Sequence, residues 1–296
     1  MDVKEFNNTR RKISVMGVGT WMLSDDKAAN ISSLRYAMDN GVNFIDTAEM
    51  YGTENVVGEA IRGRNREGLF IASKVWPTHF EHDSLIKACT ASLEKIGTDY
   101  LDLYQLHWPN KSVEISETMK AMEELVSEGK IRSIGVSNFS LEELKNAQAA
   151  MSKYEIASNQ VEYSVVTREI EDEGLFDYCK NSKIAIIAYS PLSHGKLFEN
   201  HSLISELNAI GSKYGKTPAQ LALNWLMQRE NTFPIPKASN VVHMKEDIES
   251  AGFRLEKNDV EVIEGMYSKY YKPSISKTHR THGDKLNSYN FKEEKT

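Results

Sequence analysis

Four residues with the chemistry to move a proton follow short apolar segments in the first part of this 296-residue chain: Asp46, Tyr51, Lys74 and His107. An unperturbed tyrosine has a pKa near 10, and a neighbouring ammonium lowers it, so that a phenol beside a lysine becomes a usable acid. Each residue alone also has an ordinary structural explanation, as a helix cap, a packing side chain, a surface lysine or a hydrogen-bonded histidine. Their chemistry therefore depends on whether the fold brings them together.

Short apolar segments alternate with amphipathic helical segments along the chain. The predicted strands are 15–19, 42–46, 69–73, 100–107, 131–137, 158–162, 184–189 and 232–236. The predicted helices are 28–40, 54–61, 83–96, 115–128, 141–150, 169–181, 218–229 and 243–250. Ser140 and Glu143 form a capping-box pattern at the start of the fifth helix, and Gly41 and Gly129 lie where helices should stop.

Eight strand and helix pairs predict an α/β fold, a (β/α)₈ TIM barrel, with the active site at the carboxyl ends of the strands. Asp46, Lys74 and His107 end the second, third and fourth strands, so they and Tyr51 would share one rim. An open doubly wound sheet is the alternative. Its GxGxxG fingerprint is absent, because Gly17-Val18-Gly19 lacks the third glycine and opens no helix.

The remaining segments fit a single domain, 1–296, with a core of about 13–267. Residues before Val15 predict a short hairpin that closes the bottom of the barrel. An extra helix is expected over 258–267, and a polar tail or loop over 272–296.

Composition excludes several classes of protein. The net charge is −6 with no basic stripe, which argues against nucleic-acid binding. No apolar segment approaches the roughly 18 residues that a membrane span needs, and the N-terminus does not look like a signal peptide. Cys89 and Cys179 match no metal or redox spacing, which suggests reduced thiols in a cytoplasmic protein.

Eight segments of the chain resemble blocks of the aldo-keto reductase family, in order from Ile13 to about Met266. They are GVNFIDTAEMYG (41–52), SKVW (73–76), LDLYQLHWP (101–109), GKIRSIGVSNFS (129–140), NQVEYS (159–164), AYSPLSHGKL (188–197), KTPAQLALNWLMQ (216–228) and PIPKAS (234–239). The resemblance implies a catalytic tetrad of Asp46, Tyr51, Lys74 and His107 that reduces an aldehyde or ketone with a nicotinamide cofactor. Tyr51 would be the acid, Lys74 would lower its pKa, Asp46 would pair with Lys74, and His107 would orient the carbonyl. No metal is expected, because His107 has no companion ligands.

The resemblance also implies the cofactor contacts. Ser137, Asn138 and Gln160 would hold the nicotinamide amide, and Tyr189 would stack on the ring. Gly19, Thr20 and Asp46 would contact the adjacent ribose. The pyrophosphate would lie against the loop of Ser190, Pro191, Leu192 and Gly195.

At the adenosine end the matching positions are Pro236, Lys237, Ala238, Ser239, His243, Glu246 and Asp247. Lys237 matches the family's lysine beside the 2′-phosphate, which favours NADPH. His243 replaces the family's phosphate-clamping arginine, and losing a bidentate cation weakens phosphate recognition, so NADH stays an alternative.

Trp21, Trp76 and Trp108 each lie just beyond a strand end and predict an aromatic wall for a small aldehyde, ketone or sugar. The tail that completes this pocket in the family matches nothing recognisable here, so neither the substrate nor the oligomeric state can be read. Two other functions stay open: a sugar or alcohol dehydrogenase working in the oxidative direction, and a cofactor-binding redox sensor or accessory subunit.

Overall fold

A computed structural model describes residues 1–6, 9 and 11–271; the predicted polar tail, 272–296, lies outside the described residues. The chain forms the predicted (β/α)₈ barrel. Its eight parallel strands are β3 (Val18–Gly19), β4 (Phe44–Asp46), β5 (Phe70–Val75), β6 (Leu103–Leu106), β7 (Ile134–Ser137), β8 (Ile156–Glu162), β9 (Ala185–Tyr189) and β10 (Thr232–Pro234), and they are adjacent in this order.

Hydrogen bonds close the barrel between its first and last strands. The backbone N–H of Gly17 donates to the carbonyl of Pro234 at 2.9 Å, and that of Gly19 donates to Pro236 at 2.9 Å. The strands are buried almost throughout, because a parallel sheet is covered on its outer face by helices and on its inner face by the core.

The helices that follow the strands are α1 (Lys27–Asp39), α2 (Glu54–Ile61), α3 (His82–Ile96), α4 (Ile115–Ser127), α5 (Leu141–Ala149), α6 (Glu169–Asp172), α7 (Leu175–Asn181), α8 (His201–Tyr214), α9 (Pro218–Gln228), α10 (Val241–Glu249) and α11 (Lys257–Tyr270). The capping box of Ser140 and Glu143 is confirmed at the start of α5. Among the described residues, no helix is long and apolar enough to cross a membrane.

The predicted N-terminal hairpin is present as β1 (Val3–Phe6) paired with β2 (Arg11–Ser14), antiparallel. It closes the amino-terminal end of the barrel with Phe6, whose ring lies 4.8 Å from the ring of Phe70 and 5.4 Å from that of Phe233. This end of the barrel is therefore filled with apolar side chains, and the polar chemistry is left to the opposite end.

Two helical predictions differ from the structure. The single helix predicted over 169–181 is two helices, because Gly174 between α6 and α7 takes a left-handed conformation with φ 73°. No helix was predicted between β9 and α9, yet α8 lies there, capped by Asn200 and ended by Gly215. The sequence contains the capping residues Asn200 and Gly215. The repeat of one helix after each strand nevertheless predicted no additional helix between β9 and α9.

Gly17 shows why the glycines near the first strand are needed. A Cβ on Gly17 would lie 2.5 Å from an atom of the Phe44 ring and 2.9 Å from Cγ2 of Ile235. These distances are shorter than van der Waals contact, so a side chain would separate β3 from its two neighbours. Gly17-Val18-Gly19 is thus a site of barrel closure.

We expect Gly17→Ala to lower the free energy of unfolding by about 1–3 kcal/mol, because overpacking of a filled core forces neighbouring atoms apart. Urea denaturation of both proteins measures the difference. Gly265→Ala in α11 is the control, since a Cβ there meets no atom within 4 Å. Equal stability of the two variants would show that closure does not require the glycine.

Candidate active site

The four residues predicted to move a proton lie at the carboxyl end of three adjacent strands. Asp46 ends β4, Lys74 lies near the end of β5, and His107 directly follows β6. Tyr51 closes a 3₁₀ turn, Glu49–Tyr51, in the loop after β4. The pairing of Lys74 with Gln105 on β6 sets the height of the lysine on the rim.

Hydrogen bonds connect the four side chains in a line. Lys74 Nζ lies 2.5 Å from Asp46 Oδ1 and 3.2 Å from Tyr51 Oη. Tyr51 Oη lies 3.3 Å from His107 Nε2. The structure thus brings together the residues that the sequence could only place on one rim, and the phenol lies between the ammonium and the imidazole.

The ion pair beneath the phenol is fully buried, with Lys74 0% and Asp46 1% exposed. Burial lowers the pKa of Lys74, and the charge and hydrogen bond of Asp46 oppose that change. The second oxygen of Asp46 accepts hydrogen bonds from Gln160 Nε2 at 2.8 Å and Gln105 Nε2 at 3.2 Å. Both carboxylate oxygens are therefore satisfied, which is what a buried charge requires.

His107 is a neutral imidazole at ordinary pH. Burial, reinforced by the charge of Lys74, holds its pKa well below the usual value. Its Nε2 faces Tyr51, and its Nδ1 is buried and has no hydrogen-bond partner among the described residues. The ring of Trp76 stands edge-on against it, with centroids 5.2 Å apart and an interplanar angle of 87°.

These groups open into a cleft of about 360 Å³. The predicted site residues that line it are Gly19, Trp21, Asp46, Tyr51, Trp76, His107, Trp108, Ser137, Asn138, Gln160, Tyr189, Ser190, Pro191, Leu192, Gly195, Pro236, Lys237 and Asp247. Met22, Met50, His194 and Ile235 also line it. Lys74 lies beneath its floor, and the three tryptophans lie on its wall.

A hydrogen-bonded group of side chains lies in the cleft beside the ion pair. Tyr189 Oη donates to Asn138 Oδ1 at 2.9 Å, and Asn138 Nδ2 donates to the carbonyl of His107 at 3.2 Å. Ser137 Oγ donates to the carbonyl of Gln160 at 3.0 Å. Asn138 takes a left-handed conformation, with φ 61°, that turns its amide back towards the barrel.

The loop after β9 contains several left-handed residues: Ser190 (φ 46°), Ser193 (φ 51°), His194 (φ 53°) and Gly195 (φ 89°). Ser190 Oγ lies 2.9 Å from His194 Nε2, and the His194 ring meets the ring of Trp21 edge-on at 5.8 Å. Since non-glycine residues in this conformation cost free energy, the contacts of the loop must hold it in shape.

The part of the cleft lined by Lys237 and Asp247 carries groups of opposite charge. Lys237 is exposed, and its Nζ lies 3.5 Å from Ser239 Oγ. Burial raises the pKa of Asp247 to about 7, Glu246 adds to this shift, and His243 opposes it. His243 and Glu246 are both largely exposed and pair with each other at 3.2 Å.

Five predicted cofactor residues do not line the cleft: Thr20, Ala238, Ser239, His243 and Glu246. Thr20 is fully buried, and its hydroxyl donates to the carbonyl of Asp46 at 3.1 Å. The carbonyl of Ala238 accepts from Ser33 Oγ at 2.8 Å.

Sequence reasoning missed Gln105 and His194. The only sequence signals for them were the position of Gln105 in the alternating pattern of β6 and the position of His194 in the polar loop after β9. Within the part of the chain that the structure describes, no group of three or more His, Cys, Asp or Glu residues could hold a metal ion.

Residues 15–268 match the model of the aldo/keto reductase family. The methylglyoxal reductase YeaE of Escherichia coli is 35% identical over 86% of this chain and 91% of its own length. The glyoxal reductase of Bacillus subtilis is 36% identical over 84% of this chain and 87% of its own. An aldo-keto reductase of Klebsiella pneumoniae, solved in complex with NADPH, superimposes with a TM-score of 0.82 at 34% identity, covering 90% of this chain and 96% of its own.

We expect Asp46→Asn to lower the free energy of unfolding by about 3 kcal/mol at pH 6.5, because it leaves the buried Lys74 ammonium without its partner. The loss should shrink towards pH 9. Without Asp46 the folded-state pKa of Lys74 falls further below the unfolded value, so the unfolded state binds more protons and stability rises with pH.

Chemical denaturation at the two pH values tests this expectation, with Asp25→Asn in an exposed loop as the control. A deficit that is the same at both pH values would mean that Lys74 is not the source of the cost.

Proposed function

This chain belongs to the aldo/keto reductase family, and we propose that it reduces aldehydes or ketones with NADPH, using Tyr51 as the general acid. The observation that carries the proposal is the placement of Tyr51 Oη, 3.2 Å from a buried ammonium and 3.3 Å from a neutral imidazole at the wall of an open cleft. A phenol in this position can give its proton to a substrate oxygen.

Lys74 supports the proton transfer by charge. As Tyr51 gives up its proton, negative charge develops on Oη, and an ammonium 3.2 Å away stabilises it. Asp46 keeps Lys74 protonated against the burial that lowers its pKa. The pair therefore stabilises the negative charge that develops on Tyr51 without placing a free charge in the cleft.

His107 orients the substrate. A neutral imidazole has one ring nitrogen that donates and one that accepts. With Nε2 protonated, His107 can donate to the same carbonyl oxygen that receives the Tyr51 proton. Because its pKa is held well below the usual value, His107 does not compete with Tyr51 as the acid.

The residues of the cleft fit a nicotinamide adenine dinucleotide phosphate. The Tyr189 ring, the Asn138 amide and Asp46 line the same cleft as the exposed Lys237 ammonium. Among the described residues this ammonium makes one hydrogen bond, of 3.5 Å, so it can receive a phosphate. Gly195 leaves open space where a Cβ would stand. When bound, NADPH supplies the hydride; the protein supplies orientation and the proton.

Small reactive aldehydes, 2-oxoaldehydes among them, are the substrate class that we propose. Trp21, Trp76, Trp108 and Met50 form an apolar wall around the polar centre, which suits a compact substrate with one activated carbonyl. Two of the similar proteins are named as methylglyoxal and glyoxal reductases.

Tyr51→Phe should lower kcat by about 10²–10⁴, the range that general acid catalysis contributes. The assay follows loss of reduced-nicotinamide absorbance with methylglyoxal and a panel of aldehydes. Binding of NADPH, measured by quenching of tryptophan fluorescence, should stay within about twofold. Tyr178→Phe on α7 serves as the matched control. Turnover that survives Tyr51→Phe, or no turnover by the wild type, would refute the proposal.

Lys237→Met should weaken NADPH binding by about tenfold and leave NADH binding nearly unchanged, because NADH lacks the 2′-phosphate that the lysine would neutralise. Parallel fluorescence titrations with the two cofactors measure the ratio. An equal loss for both would assign Lys237 to another part of the cofactor and remove the argument for NADPH.

A further inference from the structure

We propose that Glu49 is a positioning residue, which fixes the aromatic rings around His107 and thereby the angle at which His107 and Tyr51 meet the substrate carbonyl. The inference rests on the proposed function for its kinetic consequence. Its structural part concerns contacts within the protein and can be tested without turnover.

Glu49 joins two loops of the rim. It opens the 3₁₀ turn that ends with Tyr51, and its Oε1 accepts a hydrogen bond from the backbone N–H of Trp76. The same oxygen lies 3.1 Å from Nδ1 of His79. The Glu49 side chain is only 12% exposed, whereas His79 is 46% exposed. The carboxylate is thus committed to the loop after β5, although it belongs to the loop after β4.

Because the Trp76 ring packs against His107, holding the Trp76 backbone also restricts the orientation of the imidazole. The Trp76 ring packs edge-on against the imidazole at 5.2 Å, and the Tyr51 ring packs against another side at 5.3 Å with an interplanar angle of 75°. Nδ1 of His107 has no hydrogen-bond partner, so Tyr51 is the one side-chain hydrogen bond that orients the ring among the described residues. The two flanking rings must therefore set its remaining freedom, and Glu49 holds the backbone of one of them.

A second anchor shows that the loop after β5 is held from both sides. Asn110, in the loop after β6, donates from Nδ2 to the carbonyl of Pro77 at 2.8 Å. Pro77 follows Trp76 directly. Asn110 and Glu49 thus fix the loop from its two neighbours. Of these two, Glu49 is the one that bonds to Trp76 itself and lies in the turn that carries Tyr51.

The kinetic test compares Glu49→Ala with Glu49→Gln. A glutamine oxygen can still accept from the Trp76 N–H, whereas alanine cannot. We expect Glu49→Ala to lower kcat by about tenfold or more, since misplacing a catalytic group by about 1 Å can cost 10²-fold. KM and the NADPH dissociation constant should change less than threefold. Glu49→Gln should recover most of kcat, and His79→Gln should leave it near the wild-type value.

Glu67→Ala is the matched control, because Glu67 is exposed and lies before β5, at the opposite end of the barrel. A kcat for Glu49→Ala within twofold of the wild type would overturn the proposal. So would a Glu49→Gln variant as impaired as Glu49→Ala, since the retained acceptor would then be irrelevant.

A measurement on the cofactor-free protein separates this inference from the proposed function. With ¹³C-labelled histidine, the Hε1 resonance of His107 reports the ring current of Trp76, and a His107→Gln sample assigns it. We expect the resonance to shift in Glu49→Ala and stay in place in Glu67→Ala. If Glu49→Ala does not fold, Trp76→Phe, which keeps the backbone N–H but replaces the indole, should reproduce the shift and lower kcat.

An unchanged His107 resonance in the folded variant would overturn the positioning role whether or not the wild type turns over aldehydes. If the resonance shifts but the wild type reduces no carbonyl, the proposed function fails and the structural role of Glu49 stands.

Discussion

The site depends on one buried ion pair. Lys74 and Asp46 are both removed from water, and such a pair is tolerated only when every remaining polar position is satisfied. The structure meets this condition: Thr47 accepts a further hydrogen bond from Lys74 at 2.9 Å, and the amides of Gln105 and Gln160 bond to Asp46. The cost of the buried charge thus dictates which polar residues must occupy the centre of the barrel.

The same requirement explains how the two halves of the site are connected. Gln160 lies on β8, on the opposite side of the barrel from β4, and it reaches Asp46 through the interior. Ser137 bonds to the backbone of Gln160, and Asn138 bonds to that of His107 and to Tyr189. The side of the site with Tyr51 and Lys74 and the proposed cofactor side therefore share one hydrogen-bond network. A change at Asp46 should alter the geometry of both sides.

Burial shifts the pKa values of several titrating groups of the site. It holds His107 neutral, and Asp46 opposes its effect on Lys74. Asp247, at the other end of the cleft, shows the same effect without a partner of that kind, and its pKa rises to about 7.

Local patterns in the sequence predicted the class of fold and the rim, because strand and helix periodicity and capping act over a few residues. Ser140 with Glu143 and the stops at Gly41 and Gly129 are examples: each acts within a few residues. The choice of Asp46, Tyr51, Lys74 and His107 rested on the resemblance to the family blocks. The family blocks, which are also short segments of the chain, indicated the chemistry expected of Tyr51 and Lys74. The barrel and family membership are confirmed, whereas the roles of individual site residues stay predictions.

The contacts made across the barrel follow from the fold and have no counterpart in the local patterns of the sequence. In the sequence Gly17 is only part of an incomplete GxGxxG match, and its approach to Phe44 in the fold shows why no side chain fits there. No local pattern singled out Gln105 or Glu49, and the fold places them against Asp46 and Trp76. The physical reason is that these contacts join residues far apart in the chain, and their free energy depends on burial and distance, which no local pattern specifies.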